Sequence, residues 1–435
     1  MSKWERHKAR TRTMTEILRK YGLNNLKLGD EMQRSIGVER EELKGEYFTA
    51  VHNDNVLELE TTPDNSVDLI VSSWPFSDHY EYCESFHDFG HNDGDAGFFE
   101  QMEYLTPETM RVLKPGRMYC VHAKDRVLFG SVSGLGMYSF NRFSDKCADH
   151  MEKHGFIFCG RITIVTDVVR ENNQTYRLGW TENEKDGTKM GVGSSEYVLV
   201  FRKLPTDQTN SYADEPVRNP KPLQLSEDGP IPFDRERNLP IIPGTGYSRS
   251  RWQFDAHAFW RSSGNRFLRP EEIKQMPLGQ LRTAWQRFNE SHLYDFKEHV
   301  QIAEELEAAG KLPGDYMLLD PQSHNPWVWD DVVRMRTLNC DQARGNREQH
   351  VCPLQFDIVE RLIERYSNPG DLVMDPFGGL GTVGYCAIQM RRRASLIELN
   401  HDYWKDSLRY LKAAEEKIST PTLFDLLQSE DPEAA

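Results

Sequence analysis

The chain has 435 residues, a net charge of −15, 38% hydrophobic content and 30 glycines. That is enough for a large core and roughly two to three domain-sized units, and it excludes disorder along the whole length. No apolar run approaches the roughly 18 residues a membrane span needs, and the basic start MSKWERHKARTRTM lacks the apolar stretch of a secretory signal, so a cytoplasmic protein with no membrane partner is expected. The seven cysteines, Cys83, Cys120, Cys147, Cys159, Cys340, Cys352 and Cys386, form no CxxC pair and support neither a disulfide framework nor a cysteine zinc site. The acidic total argues only weakly against a nucleic-acid partner, because the field at a cleft is local. Basic residues do cluster, at 8–12, 249–252, 261–269 and 391–393.

In chain order, residues 1–45 are charged and helix-prone and read as an N-terminal helical extension. A strand is expected over 47–52, a short helix over 55–60, and a buried strand over 67–73 that ends at Trp74-Pro75-Phe76. Apolar residues at helical spacing follow over 98–113 and stop at Lys114-Pro115-Gly116. Further strands are expected over 118–122, 161–169 and 197–202, with a long polar loop between the last two. Prolines then recur at 205, 216, 220, 222, 230, 232, 240 and 243, a pattern of inserted segments rather than of a compact core. Residues 205–345 therefore read as an inserted region between two halves, 46–204 and 346–414. The second half has a helix over 356–366, a strand over 371–375, a helix over 382–390 and a strand over 394–398. Residues 415–435 read as an acidic flexible tail. Strands alternating with helices indicate an α/β fold with a largely parallel sheet.

The sharpest chemical signal is the run DLVMDPFGGLGT, residues 371–382. A buried strand ends in an acid, and a glycine turn opens a helix. Glycines allow close backbone approach to a ligand, and free N–H groups at a helix start favour a polar or anionic group. Glu398 closes the next strand, where a carboxylate can accept from two ribose hydroxyls. Dinucleotide folds usually carry GxGxxG instead.

DPFGGLGT resembles the cofactor motif DPFxGxGT of the amino-group DNA methyltransferases, and IELNHDYW resembles the motif that follows it. HVCP, residues 350–353, resembles the family's HxxP segment, and Asn53-Asp54 loosely resembles its GD segment. The resemblance implies S-adenosylmethionine as cofactor, with Asp375, Phe377, Gly379, Gly381 and Thr382 around its methionine end. It further implies His350 and Pro353 over that end, Glu398 on the ribose and Asp54 near the adenine. It also implies a Rossmann-like methyltransferase sheet in circularly permuted order, catalytic half first, with 205–345 as target-recognition region.

The family's active-site tetrapeptide is Asp, Asn or Ser, then Pro-Pro, then Tyr or Phe. Ser73-Trp74-Pro75-Phe76 resembles it, with Trp74 in place of the first proline. An exocyclic amine is a poor nucleophile because its lone pair is delocalised into the ring. Acceptors fixed in advance, here Ser73 Oγ and the carbonyl after Trp74, favour a tetrahedral nitrogen. Phe76 would stack on a base flipped out of the duplex. The implied reaction is methylation of cytosine N4 or adenine N6 in DNA, and the serine leans toward cytosine. The rival readings are a non-catalytic DNA-binding protein that keeps the fold, motivated by Trp74, and a methyltransferase acting on RNA or a small molecule.

Weaker signals remain. His79, His87, Asp88, His91, Asp93 and Asp95 form a His/Asp cluster after the catalytic turn, read as a closing loop rather than a metal site. Arg170, Asn172, Asn173 and Gln174 suit base-edge contacts. Arg249, Arg251, Arg261 and Arg266, interleaved with Trp252, Phe259 and Trp260, suit phosphate contacts and stacking. Thr422-Leu423-Phe424-Asp425 resembles a sliding-clamp-binding peptide. Oligomeric state is not legible.

Overall fold

The computed structural model describes, apart from a few single positions, residues 38–165, 194–218, 270–286, 327–339 and 353–419, with short pieces elsewhere. Its centre is a nine-stranded sheet. In chain order its strands are β1 (Glu41–Lys44), β2 (Phe48–His52), β3 (Val67–Ser73), β4 (Leu113–Lys124), β5 (Ile157–Ile164), β6 (Glu196–Arg202), β7 (Val328–Trp329), β8 (Leu372–Asp375) and β9 (Arg393–Glu398). The spatial order is β1-β2-β9-β8-β3-β4-β6-β5-β7. From β2 to β4 the neighbours are parallel, and β6 runs antiparallel to both β4 and β5. The two strands of the C-terminal half thus lie between β2 and β3 of the N-terminal half, which is the permuted α/β sheet the sequence implies.

Parallel strands are covered on both faces, and the apolar positions divide accordingly. Along β4, Met118 and Cys120 pack on one face while Tyr119, Val121 and Ala123 pack on the other. The first face carries α4 (Phe356–Tyr366), α5 (Thr382–Gln389) and α6 (His401–Ser419). The second carries α1 (Asn55–Thr61), α2 (Asp95–Val112) and α3 (Phe143–Lys153). From β8 the chain crosses by α5 on one face to β9, and from β3 it crosses by α2 on the other face to β4. The strand order therefore reverses between β8 and β3, and a crevice opens at their carboxyl ends, where open α/β sheets bind ligands.

Several local expectations are corrected. Glu41–Lys44, assigned to a helical extension, is an edge strand antiparallel to β2. The helix does stop before Lys114-Pro115-Gly116, at Val112, but that tripeptide belongs to β4, which begins at Leu113 rather than at Met118. The strand expected over 161–169 is Ile157–Ile164, since Ile157 and Phe158 already pair with β6. The tail expected from residue 415 is helical to Ser419, because Leu411 and Ala414 anchor α6 in the core. Val328–Trp329, in the inserted region, extends the sheet by pairing with β5. No helix among the described residues is long and apolar enough to cross a membrane.

Candidate active site

Strand β3 delivers two serines with opposite duties, because successive side chains point to opposite faces. Ser72 is buried, and its hydroxyl donates to Asp375 Oδ1 at 2.8 Å. Ser73 lines the crevice, with Oγ 3.0 Å from His122 Nδ1. Pro75 lines it too. Trp74 does not: its ring is 1% exposed in the core beside Phe98 and Tyr119, and its Nε1 donates to Tyr119 Oη at 2.8 Å. The ring of Trp74, a residue expected at the site through the carbonyl beside it, is therefore a core anchor for the corner. An indole this large buries its surface when it can also satisfy its N–H. Phe76 is likewise buried, edge-on to His122 at 6.2 Å between ring centroids. The next residue, Ser77, holds φ at 55°, a left-handed conformation that turns the chain sharply out of the sheet.

The glycine turn meets this corner from β8. Phe377 N–H donates to Asp375 Oδ1 at 3.0 Å, and Gly379 N–H donates to Glu398 Oε2 at 2.7 Å. Gly381 caps α5 at φ 84°, and a Cβ there would lie 3.0 Å from Ser407 Cβ, so the turn is held both by conformation and by close packing. Thr382 opens α5 and lines the crevice. Asn55 Nδ2 donates to the Pro376 carbonyl at 3.0 Å, tying the first half of the chain to the turn. Burial pushes the Asp375 carboxyl up to about 8, against the pull of the Phe377 N–H and the Ser72 hydroxyl. Burial likewise pushes Glu398 up to about 7, against the N–H groups of Asn400 and Gly379.

A loop that follows the Ser73–Phe76 corner covers the crevice. Asp88 gathers it by accepting from the N–H groups of Tyr82 at 2.7 Å, Cys83 at 2.9 Å and Gly90 at 2.8 Å. Asn400 Nδ2 latches it through the Tyr82 carbonyl at 2.8 Å. Asp54 accepts from Leu57 N–H as the cap of α1, and its other oxygen lies 2.9 Å from His87 Nδ1. Among the described residues the His/Asp cluster does not converge. His87 turns to Asp54, His91 to Glu81, and Asp95 to Arg126, Asn141 and Lys146. His79 and Asp93 lie outside the described residues.

One crevice thus brings together Asp54, Ser73, Pro75, Pro353, Asp375, Phe377, Gly379, Thr382 and Glu398. Asn55 Oδ1 and His87 Nε2 belong to residues lining it and are buried without a hydrogen-bond partner among the described residues. A ligand bearing hydroxyl and amino groups would satisfy them, and Glu398 with its raised carboxyl fits the same ligand. Sequence reasoning missed Ser72, Asn55, His122, Glu196 and Asn400. The signal for Asn400 was within reach, two residues past Glu398, whereas His122 and Glu196 carry no motif. His350, Arg170, Asn172, Asn173, Gln174, Arg249, Arg251, Arg261, Arg266 and residues 422–425 lie outside the described residues.

The family model for N6/N4-type enzymes, described as DNA methylase, matches residues 67–409. The chain is 33% identical over 126 residues to the DNA adenine methyltransferase YhdJ of Escherichia coli (strain K12), covering 28% of this chain and 41% of that protein. It is 30% identical over 94 residues to the type II methyltransferase M1.MboII of Moraxella bovis, covering 22% of this chain and 31% of that protein. Less than half of either relative's length is matched. Among solved structures, PvuII DNA methyltransferase (cytosine-N4-specific) superimposes with a TM-score of 0.43 at 12% identity, over 86% of this chain and 93% of that one.

Proposed function

Because the chain belongs to the DNA methylase family whose model spans residues 67–409, we propose that it transfers a methyl group from S-adenosylmethionine to an exocyclic amino nitrogen of a DNA base, cytosine N4 or adenine N6. The observation that carries this reading is the shared crevice: the Asp375–Thr382 turn and the Ser73–Pro75 corner, about three hundred residues apart in sequence, line the same cavity. Bound there, the methyl donor would supply an electrophilic sulfonium carbon. Glu398 would hold its ribose and the 376–381 turn its methionine end. Ser73 would accept from the target amine, and the loop gathered by Asp88 would exclude water. A base within a duplex cannot reach such a crevice, so the target base flips out.

Trp74 supports activity rather than loss of it, since its ring is stored in the core on Tyr119 and leaves the crevice clear. Restriction-modification is a role consistent with the Moraxella bovis relative.

The test incubates the protein with labelled donor and unmethylated DNA, followed by nucleoside mass spectrometry. Label on N4-methylcytosine or N6-methyladenine is expected. Donor binding without label on DNA supports the non-catalytic rival, and label on RNA alone supports the other. Ser73→Ala and Pro75→Ala should each lose on the order of 10²–10³ in turnover while donor binding persists. Full turnover in both would undo the assignment of the corner.

A further inference from the structure

Ser73 heads a chain of side chains that the family motif does not contain. His122, at the carboxyl end of β4, and Glu196, the first residue of β6, are 4% and 3% exposed. Ser73 Oγ lies 3.0 Å from His122 Nδ1, and His122 Nε2 lies 3.2 Å from Glu196 Oε2. The other carboxylate oxygen, Oε1, accepts from Lys124 Nζ at 3.1 Å and from Arg334 Nη1 at 2.6 Å. Burial by itself would raise the Glu196 carboxyl. His122, Lys124 and Arg334 overcome that and hold it well below the ordinary carboxylate range.

An ionised carboxylate only accepts hydrogen bonds. The His122 proton must then sit on Nε2, because the hydrogen bond at one ring nitrogen fixes the tautomer. In the neutral ring Nδ1 is left as an acceptor, and the partner within reach is the Ser73 hydroxyl, which must donate. With its hydrogen directed at His122, Ser73 Oγ presents only lone pairs to the crevice. A serine elsewhere chooses between donating and accepting; here Glu196, two hydrogen bonds away, makes the choice.

We infer that His122 and Glu196 are positioning residues that lock Ser73 as an acceptor for the target amine and receive the proton the amine sheds. This inference rests on the methyl-transfer reading above. The target nitrogen's lone pair forms the N–C bond, the S–C bond breaks, and its electron pair stays on the now neutral sulfur. The positive charge passes to the methylated nitrogen, which gives one proton to Ser73 Oγ as Ser73 gives its own to His122 Nδ1. The imidazolium formed is paired with Glu196, so charge is conserved and ends on a buried ion pair rather than on the product.

The test uses the full chain with ¹⁵N-labelled histidine at neutral pH, the His122 signals being assigned by their loss in His122→Asn. The expected result is a neutral ring protonated on Nε2, with a hydrogen-bonded Nδ1 whose resonance moves in Ser73→Ala. A ring protonated on Nδ1, or on both nitrogens, overturns the inference, and this wild-type measurement decides even where a substitution unfolds the chain. In kinetics, Glu196→Gln should lower kcat on the order of 10²-fold with KM for donor and DNA unchanged, and Glu196→Asp should recover part of it. Wild-type kcat in Glu196→Gln also overturns it. A wild-type chain that shows the expected tautomer yet methylates no DNA defeats the methyl-transfer reading and leaves the tautomer lock standing.

Discussion

Strands β3 and β8 lie side by side, and their two ends treat buried carboxylates in opposite ways. At the amino ends, Asp68 meets Arg117 at 2.9 Å, Lys114 at 2.9 Å and the Leu372 N–H at 2.8 Å, and Asp371 pairs with the same Arg117. Burial would raise Asp68, but those three partners lower it below its ordinary value. At the carboxyl ends, Asp375 of β8, and beside it Glu398 at the end of β9, have among the described residues hydroxyl and N–H donors only, and burial raises both. One end is electrostatically settled and holds the two halves of the chain together. The other is left short of positive charge in the place where a cationic methyl donor would arrive. The lesson is that the same pair of strands spends its stability at one end and its reactivity at the other.

The largest effect that would sharpen this contrast is at the settled end. Arg117→Met strips Asp68 and Asp371 of their shared cation and should cost about 3–5 kcal/mol of stability, read as a urea midpoint. A loss below about 1 kcal/mol would mean that the cluster does not hold the halves together. At the reactive end, Glu398→Ala should weaken donor binding by about 1.5–3 kcal/mol, on the order of 10- to 100-fold in Kd, with the midpoint nearly unmoved. Unchanged titration calorimetry would remove Glu398 from the site. Since ribose hydroxyls need an ionised acceptor and Glu398 titrates near 7, donor affinity should rise as pH rises through 7, with proton release on binding. Calorimetry in two buffers of different ionisation enthalpy reads that release.

The last effect is read as a slope against pH rather than at one pH, and it concerns Asp375. Its carboxyl is raised from an ordinary 3.8 to about 8 in the fold. The folded state therefore holds a proton that the unfolded chain has lost, and this contribution is fully present below about pH 4 and is lost as pH rises through 8. Asp375→Asn should flatten that part of the stability profile of the donor-free protein. A profile as steep as the wild type's would show that the slope arises elsewhere.

The sheet's parallel centre was legible because its strands carry strong apolar runs bounded by turn residues, as in Val67–Ser73, whose limits the sequence predicts to the residue. The glycine turn was legible because its chemistry is contiguous: acid, glycines and helix start follow one another within 375–382. Glu41–Lys44 was missed because an edge strand of charged residues has no alternating apolar pattern to reveal it. The burial of the Trp74 ring was not legible, since a motif position fixes the backbone path but not the direction of a substituted side chain. His122 and Glu196 were invisible for another reason. They meet Ser73 only through the antiparallel pairing of β4 with β6, which places His122 against Val198 and Lys124 against Glu196.

The placement of β8 and β9 has a consequence for biosynthesis. During translation β2 and β3 emerge some three hundred residues before the two strands that must fill the gap between them. Until the ribosome has passed residue 398, each presents a bare, strongly apolar edge to the cell. Such long-range pairings close slowly, and exposed edges recruit other chains in the meantime. Truncated products that stop within the intervening region would carry the Ser73–Phe76 corner without β8 beside it, and aggregation rather than a half-active fragment is their expected fate.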